Sequence, residues 1–581
     1  MALAAPVTPV HRSLLLIPCL ALACAGDTVG ETGGDVPDTD AATTSTAPTT
    51  TDAPTDTTGD EAAPLLTPAD QLLRISMALR GVRPSEAQLA AIEADPSKLP
   101  EAVDFYLEDD LLGPIVRDLH NDALLVLADF GVPPAGFLPK DALAGMDIYA
   151  ANRSIMEAPL RLIEHVVMTG RPYREIVTAD YTLADEAVAG AWGLTHSGEG
   201  WQVVDPPSDL KAAGILADSW FFSIHGSTVS NAARGRANAV SRALLCHDFL
   251  DRDIEIDASV NLADPNEVAE AVQQNPTCVA CHQQLDPLAT FFEGYKLDII
   301  PLLQPYPIDQ YAKGFFTQIL NVDMRTPHYF GSPGENLHDL GVMISDDPRF
   351  TLCAAKRAYA YFHQVDLADV PFDRAADLQA ELIATDMNWR AMVRAIVLHD
   401  DFLVATGPLG RKKARPGQLT SAVHDLTGFR WRTDLSAFGL GQVDLMDDSM
   451  IGYHVLAGGL DSIFVQHPSH TYNATASLTL RSLARQAAHA VVESDFDQPD
   501  PTKRKIFKLV NETDDAQAKV RPQLVEIHRR FFTRQLAEDD PEIEASLELF
   551  KAVLAASPGQ NKRAWKTTLM ALLQDVRIAF Y

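Results

Sequence analysis

A mainly α-helical, multidomain fold is what this sequence predicts, and three observations predict it. Apolar residues recur with helical period in one block after another from Leu72 onward. Helix start and stop signals punctuate those blocks, whereas alternating strand patterns are few. About 515 of the 581 residues lie beyond a non-globular N-terminal stretch, enough for roughly three or four domains.

Residues 1–24 read as a lipoprotein-type signal peptide. Arg12 is the fixed cation of a short n-region, and the apolar run from Leu14 to Leu22 is too short to span a bilayer. The run ends at Leu20-Ala21-Leu22-Ala23-Cys24, similar to a bacterial lipobox with Cys24 as the lipidated first mature residue. Ala21 stands where Leu is usual, so plain secretion with cleavage near Ala23 stays open. Residues 25–66 form a Thr/Asp-rich stretch without Lys or Arg. Such a composition buries too little apolar surface to offset its ordering entropy, which predicts a disordered stalk.

The ordered part divides into a helical N-terminal domain at 67–185, a domain at 186–300 that carries a Cys-x-x-Cys-His motif and a helical domain at 301–406. A Gly/Pro/Lys/Arg-rich linker at 407–417 follows, then a mostly helical C-terminal domain at 418–581. Thr67-Pro68 opens the first helix and Gly81 closes it. Ser85 and Gln88 make a capping box for the second, and a third run covers about 99–107. Amphipathic stretches follow near 115–127 and 158–168, a lapse near 185–208, and helical periodicity again at about 232–250. Asp264-Pro265 starts a helix that Asn275-Pro276 breaks, and Asp286-Pro287 is expected to stop the next one early. A block at about 336–405 and charged helices near 522–535, with Pro522 at the first position, and 542–556 complete the series.

Between the two breaks lies Cys278-Val279-Ala280-Cys281-His282. CxxCH is the attachment sequence of a c-type haem. Residues three apart share a helix face, so both thiols reach one porphyrin, and the adjacent imidazole becomes the proximal iron ligand. With six Cys and seventeen His in the chain, random order gives this pattern only about 0.002 times. A redox thiol pair and a metal site are the competing readings. A zinc ribbon needs a second CxxC, which is missing, and a thioredoxin-like pair needs a βαβ context that flanking helices do not offer.

The six cysteines then divide by use. Cys19 leaves with the leader, Cys24 takes lipid, and Cys278 with Cys281 takes haem. Cys246 and Cys353 remain, and in an oxidising compartment two leftover thiols predict a disulfide. Ala243-Leu244-Leu245-Cys246-His247 also has the look of a one-cysteine haem site, against a plain core reading for Leu-Leu-Cys on a helix.

Thr277 to His282, followed by Leu285-Asp286-Pro287-Leu288 and Phe292-Glu293, resembles the planctomycete-type cytochrome c domain family. Ala289 stands where that family usually has Gly. The opening from Leu72 to Leu119 and the stretch Arg349-Phe350-Thr351-Leu352-Cys353 are similar to the family's companion domains. The resemblance covers about 66–405 loosely and about 275–295 specifically. It implies one covalent haem c and electron transfer, and it implies no substrate.

The sixth iron ligand is left open by the motif. Met324, in the loop-like Asp323-Met324-Arg325-Thr326-Pro327, is the first candidate, in the manner of small c-type cytochromes. Met343, His328 and His225 also qualify chemically, and an open iron is the remaining option. Weaker constellations are Asp444, Asp447, Asp448 and Asp461 for Ca²⁺, against ordinary turn aspartates, and His454, His467 and His470 for zinc. No P-loop, nucleophile elbow or dinucleotide fingerprint occurs.

The formal charge of −32 argues against nucleic acid and against direct docking on anionic lipid. The expectation is a bacterial cell-envelope protein, an outer-membrane lipoprotein or a periplasmic or secreted one, touching membrane only through its lipid anchor. Its partner is an electron-transfer protein. The alternatives are a haem-dependent peroxidase or oxidoreductase subunit, and a surface binding protein with structural haem.

Overall fold

Thr67 opens the first helix as the sequence predicts: its side chain accepts from the Asp70 amide at 3.3 Å, and Pro68 takes the first position, where no N–H is needed. That helix, α1 (Pro68–Arg80), stops at Gly81, whose φ of +66° suits a residue without a Cβ. The Ser85–Gln88 capping box then starts α2 (Glu86–Ala94). The computed structural model describes residues 63–128, 143–206, 213–225, 233–251, 257–292, 326–407, 410–438 and 441–581. The leader with Cys24, nearly all of the stalk, Glu293 and Met324 lie outside the described residues.

Counting helices of nine residues or more, the described chain continues with α3 (Leu99–Leu107), α4 (Leu112–Leu124), α5 (Ile148–Met168), α6 (Arg234–Leu245), α7 (Pro265–Gln274), α8 (Pro276–Thr290), α9 (Leu337–Asp346), α10 (Pro348–His363), α11 (Phe372–Ala384) and α12 (Trp389–Val397). After these come α13 (Pro416–Thr427), α14 (Ala474–Asp497), α15 (Gln517–Phe532), α16 (Pro541–Ala556) and α17 (Asn561–Leu573). Among the described residues the strands form three short antiparallel pairs: β1 (Thr182–Ala184) with β2 (Gln202–Val204), β3 (His328–Tyr329) with β4 (Ser332–Pro333), and β5 (Arg432–Asp434) with β6 (Gln442–Asp444). The fold is mainly α-helical. Among the described residues no helix is long and apolar enough to cross a membrane.

Two hydrophobic cores organise these helices. The first gathers apolar side chains from Leu72 to Leu403, and the second from Ala414 to Ala579. The segment between them is tied down at both ends. Lys412 and Tyr581 exchange backbone hydrogen bonds at 2.9 Å, and the buried Lys412 ammonium donates to the His363 carbonyl at 2.8 Å. On the other side the Arg74 guanidinium donates to the carbonyls of Phe402, Val404 and Gly410, so a buried cation crosslinks α1 to the chain leaving the first core.

Two prolines depart from expectation. Pro287 does not stop the helix after Asp286; α8 runs on to Thr290 with Pro287 inside it. A proline in a helix interior costs about 3 kcal/mol. Leu285, Leu288 and Phe292 are 6%, 1% and 0% exposed, and full burial of such side chains contributes about 1.5–3 kcal/mol each, so packing wins. Pro522 likewise sits inside α15, which begins at Gln517, while Val520, Leu524, Ile527 and Phe531 bury its apolar face.

Candidate functional site

Asn275 is at once the last residue of α7's turn and the cap of α8: its side chain accepts from the Thr277 amide at 3.0 Å and donates to Asp257 at 2.8 Å. Pro276 fixes the first helical position. The Cys-x-x-Cys-His residues therefore occupy the first two turns of a capped helix. Cys278 and Cys281 lie about 4.5 Å apart along its axis and about 60° apart around it. Both thiols are free and partly exposed. Cys281 packs on the first core and lies 3.9 Å from the Phe249 carbonyl.

The imidazole of His282 is held from the same helix. Its Nδ1 lies 2.8 Å from Oδ1 of Asp286, one turn on. Asp286 in turn accepts two bonds from Arg234 of α6, Nε at 2.7 Å and Nη2 at 3.0 Å. Burial pushes the Asp286 carboxyl up, but the bonds from His282 and Arg234 outweigh it and hold the group down at about 2. An ionised carboxylate on Nδ1 selects the tautomer whose lone pair sits on Nε2. That is the tautomer a metal ligand needs.

The helix packs against α6, α7 and β3. Beside Cys281 stands an aromatic group: Phe249 and Phe330 stack at 6.3 Å, His247 meets Phe249 edge-on at 4.7 Å, and Arg349 covers the far ring at 4.0 Å. Cys246 and Cys353 are joined by a disulfide, with Cα atoms 5.3 Å apart, tying the end of α6 to α10. Arg357 of α10 reinforces the same joint by donating to the carbonyls of Ala243 and Arg242. With its sulfur in that bridge, Cys246 does not serve as a one-cysteine haem site.

The donor set fits a covalent haem. Two thiols share one helix face, the next residue is an imidazole with Nδ1 engaged, and the helix is anchored in a core at its other end. Among the described residues no three or more His, Cys, Asp or Glu gather as a metal-holding group. His454, His467 and His470 make no such group either. The aspartates near them serve turns. Asp448 accepts from the amides of Met450, Ile451 and Gly452, and Asp461 from those of Ile463, Phe464 and Val465.

The candidates for the far side of the iron separate. His225, partly buried, places Nε2 2.8 Å from the Leu124 carbonyl, and burial pushes it down to about 4, so it is neutral and engaged with the backbone. Met343 is partly buried against the first core. A Cβ built on Gly334 would stand 2.8 Å from both Met343 and Phe291, so Met343 packs near the end of α8, about 13 Å along the helix from His282. His328 lies on β3, against α8, with Nδ1 2.6 Å from the Thr326 carbonyl. Met324 lies outside the described residues.

A family model described as PSCyt3: Protein of unknown function (DUF1588) matches residues 212–298. That span is similar to a companion domain of planctomycete cytochrome-type proteins. The planctomycete likeness read from 275–295 thus takes a coarser form: the match is to the companion domain rather than to a cytochrome c domain. No curated protein and no solved structure matches the chain. The companion-like span contains α6, α7 and α8, and with them Arg234, Cys246, Cys278, Cys281, His282 and Asp286. Arg234 and Asp286 carry the site's electrostatics; the sequence marked Asp286 only as a helix stop and as part of the family-like stretch, and Arg234 not at all. The i,i+4 spacing of His282 and Asp286 is a local signal for one of them. The partner 52 residues away has none.

Proposed function

We propose that this protein is a cell-envelope monohaem c-type cytochrome that takes up and passes on single electrons. The observation that carries the reading is the donor set on α8: Cys278 and Cys281 free on one face, and His282 with Nδ1 held by Asp286. The two thiols would form the thioethers, and His282 would be the proximal ligand through Nε2. Haem, when bound, supplies a reversible one-electron centre. The chain's own residues set its surroundings. Asp286 orients the imidazole and strengthens it as a donor, and Arg234 holds that carboxylate in line and offsets its charge. Phe249, 2% exposed, keeps the side of the helix next to Cys281 apolar. Lipid on Cys24 would tether the body, and the formal charge of −32 suits a neutral or cationic electron partner.

A second reading, peroxide chemistry, draws on the same carboxylate, because a strong proximal donor favours reaction at an open iron. That chemistry needs a distal acid–base group. His225 is committed to Leu124, which leaves His328 as the described candidate.

The test is a spectroscopic redox titration of the full-length protein purified from cells that carry a c-type haem maturation system. A c-type spectrum with a single one-electron wave supports the proposal. CO binding to the reduced form would favour the peroxide reading. A colourless protein overturns both.

A further inference from the structure

A cleft of about 570 Å³ lies between the α1–α2 corner and the second core, lined from one side by Arg83 and Ser85 and from the other by residues of α15 and the loop before it. In a chain with a formal charge of −32 its wall is cationic on balance: Arg83, Arg504, Lys505, Lys508 and Arg530 line it against the carboxylates of Asp425 and Glu526, while Arg80 is paired with Asp109. Among the described residues none of the cations from Arg83 to Arg530 just named as lining it is in ion-pair contact with a carboxylate. Arg504 donates to the carbonyls of Gln498, Phe507 and Val510, and Arg530 to those of Lys505 and Asp425. Carbonyls satisfy N–H groups without cancelling charge. By contrast Arg529, on the same wall, is neutralised by Glu86.

Arg83 is the least compensated. It is 7% exposed, only its Nη2 is hydrogen-bonded, to the Arg577 carbonyl at 3.0 Å, and Nε and Nη1 have no partner. A buried cation with no carboxylate in contact is costly to the fold. Burial pushes it down to about 10, against a smaller pull upward from Asp425, so it is charged at neutral pH. Lys505 and Lys508 are exposed at the rim. The cleft therefore combines a desolvated positive wall with reachable ammonium donors, the arrangement that concentrates anions.

We propose that this cleft binds a small solute carrying two or more anionic oxygen groups, an oligophosphate or a polycarboxylate. Lys505, Lys508 and Arg530 hold its oxygens from the rim, and Arg83 supplies charge from the wall. The site is separate from α8 and does not depend on haem.

Calorimetric titration of the full-length protein at low ionic strength tests this, with pyrophosphate and citrate as probes and sodium chloride of equal ionic strength as the control. Saturable binding of either probe is expected, and Lys505→Glu/Lys508→Glu is expected to weaken it at least about tenfold. Binding of both probes assigns the shared oxyanion chemistry, and binding of one assigns its class. Arg83→Met should abolish the rise in melting temperature that the probe gives the wild type. If that variant does not fold, the exposed lysine pair decides alone. No saturable heat from either probe, or affinity unchanged in the lysine variant, overturns the proposal.

Discussion

His282 and Asp286 stand one turn apart on α8, with Nδ1 2.8 Å from Oδ1, and Arg234 closes on the same carboxylate from α6. The imidazole is therefore not a side chain that happens to follow two cysteines. It is aimed by an anion that is itself held by a cation from another helix, and such outer partners adjust both the orientation and the basicity of a metal-binding histidine.

Replacing Asp286 by Asn keeps the shape and removes the negative charge. Loss of an outer carboxylate weakens ferric iron binding more than ferrous, and a difference of about 10–100-fold between the two states corresponds to about 60–120 mV for a one-electron couple. The midpoint potential of Asp286→Asn should rise by an amount of that order, read by spectroelectrochemistry. A potential unchanged within error would sink the role assigned to Asp286.

Asp286 also links stability to acid. Its carboxyl titrates near 2 in the folded protein against an ordinary 3.8, so the unfolded chain binds more protons between those values. The stabilisation is complete above about pH 4 and disappears as pH falls through 2. Melting temperature should fall more steeply between pH 4.5 and 2.5 (roughly two degrees more) in the wild type than in Asp286→Asn. Parallel curves would contradict the pairing.

Lys412 gives a dependence of the same sign in a higher pH window. Burial, helped by the charge of Arg74 and opposed by Asp401, pushes it down to about 7 from 10.5. The unfolded chain then binds the extra proton between those values, so stability rises as pH climbs from about 7 towards 10. In urea titrations at pH 7 and pH 9.5 the wild-type midpoint should increase. Lys412→Met should show a flatter response, and an equal rise in both proteins would refute the assignment.

These residues also mark what the sequence could and could not convey. Thr67, Gly81, the Ser85–Gln88 box and Asp264-Pro265 act through partners within four residues, so each helix start or stop they signal is found in place. Cys278, Cys281 and His282 are local too. Pro287 and Pro522 misled because a local penalty was outweighed by burial against distant helices. Arg234, 52 residues from Asp286, and the cleft between α2 and α15 exist only once the chain has folded.

The Cys246–Cys353 bridge is a contact of that long-range kind which cysteine usage did predict. It closes a loop with a sequence separation of 107, and removing such a crosslink costs about 2–5 kcal/mol. Cys246→Ala/Cys353→Ala should lose stability of that size in denaturant titration, and reducing agent should then have no further effect. Two freely alkylated thiols in the wild type would show that the bridge does not form.

The most direct measurement is retention of haem through denaturation. Full-length wild type and Cys278→Ala/Cys281→Ala are produced side by side with the c-type maturation system and run on a denaturing gel stained for haem. The account predicts a stained wild-type band and an unstained variant band of equal protein content. An unstained wild type, or a stain that survives loss of both cysteines, would contradict it.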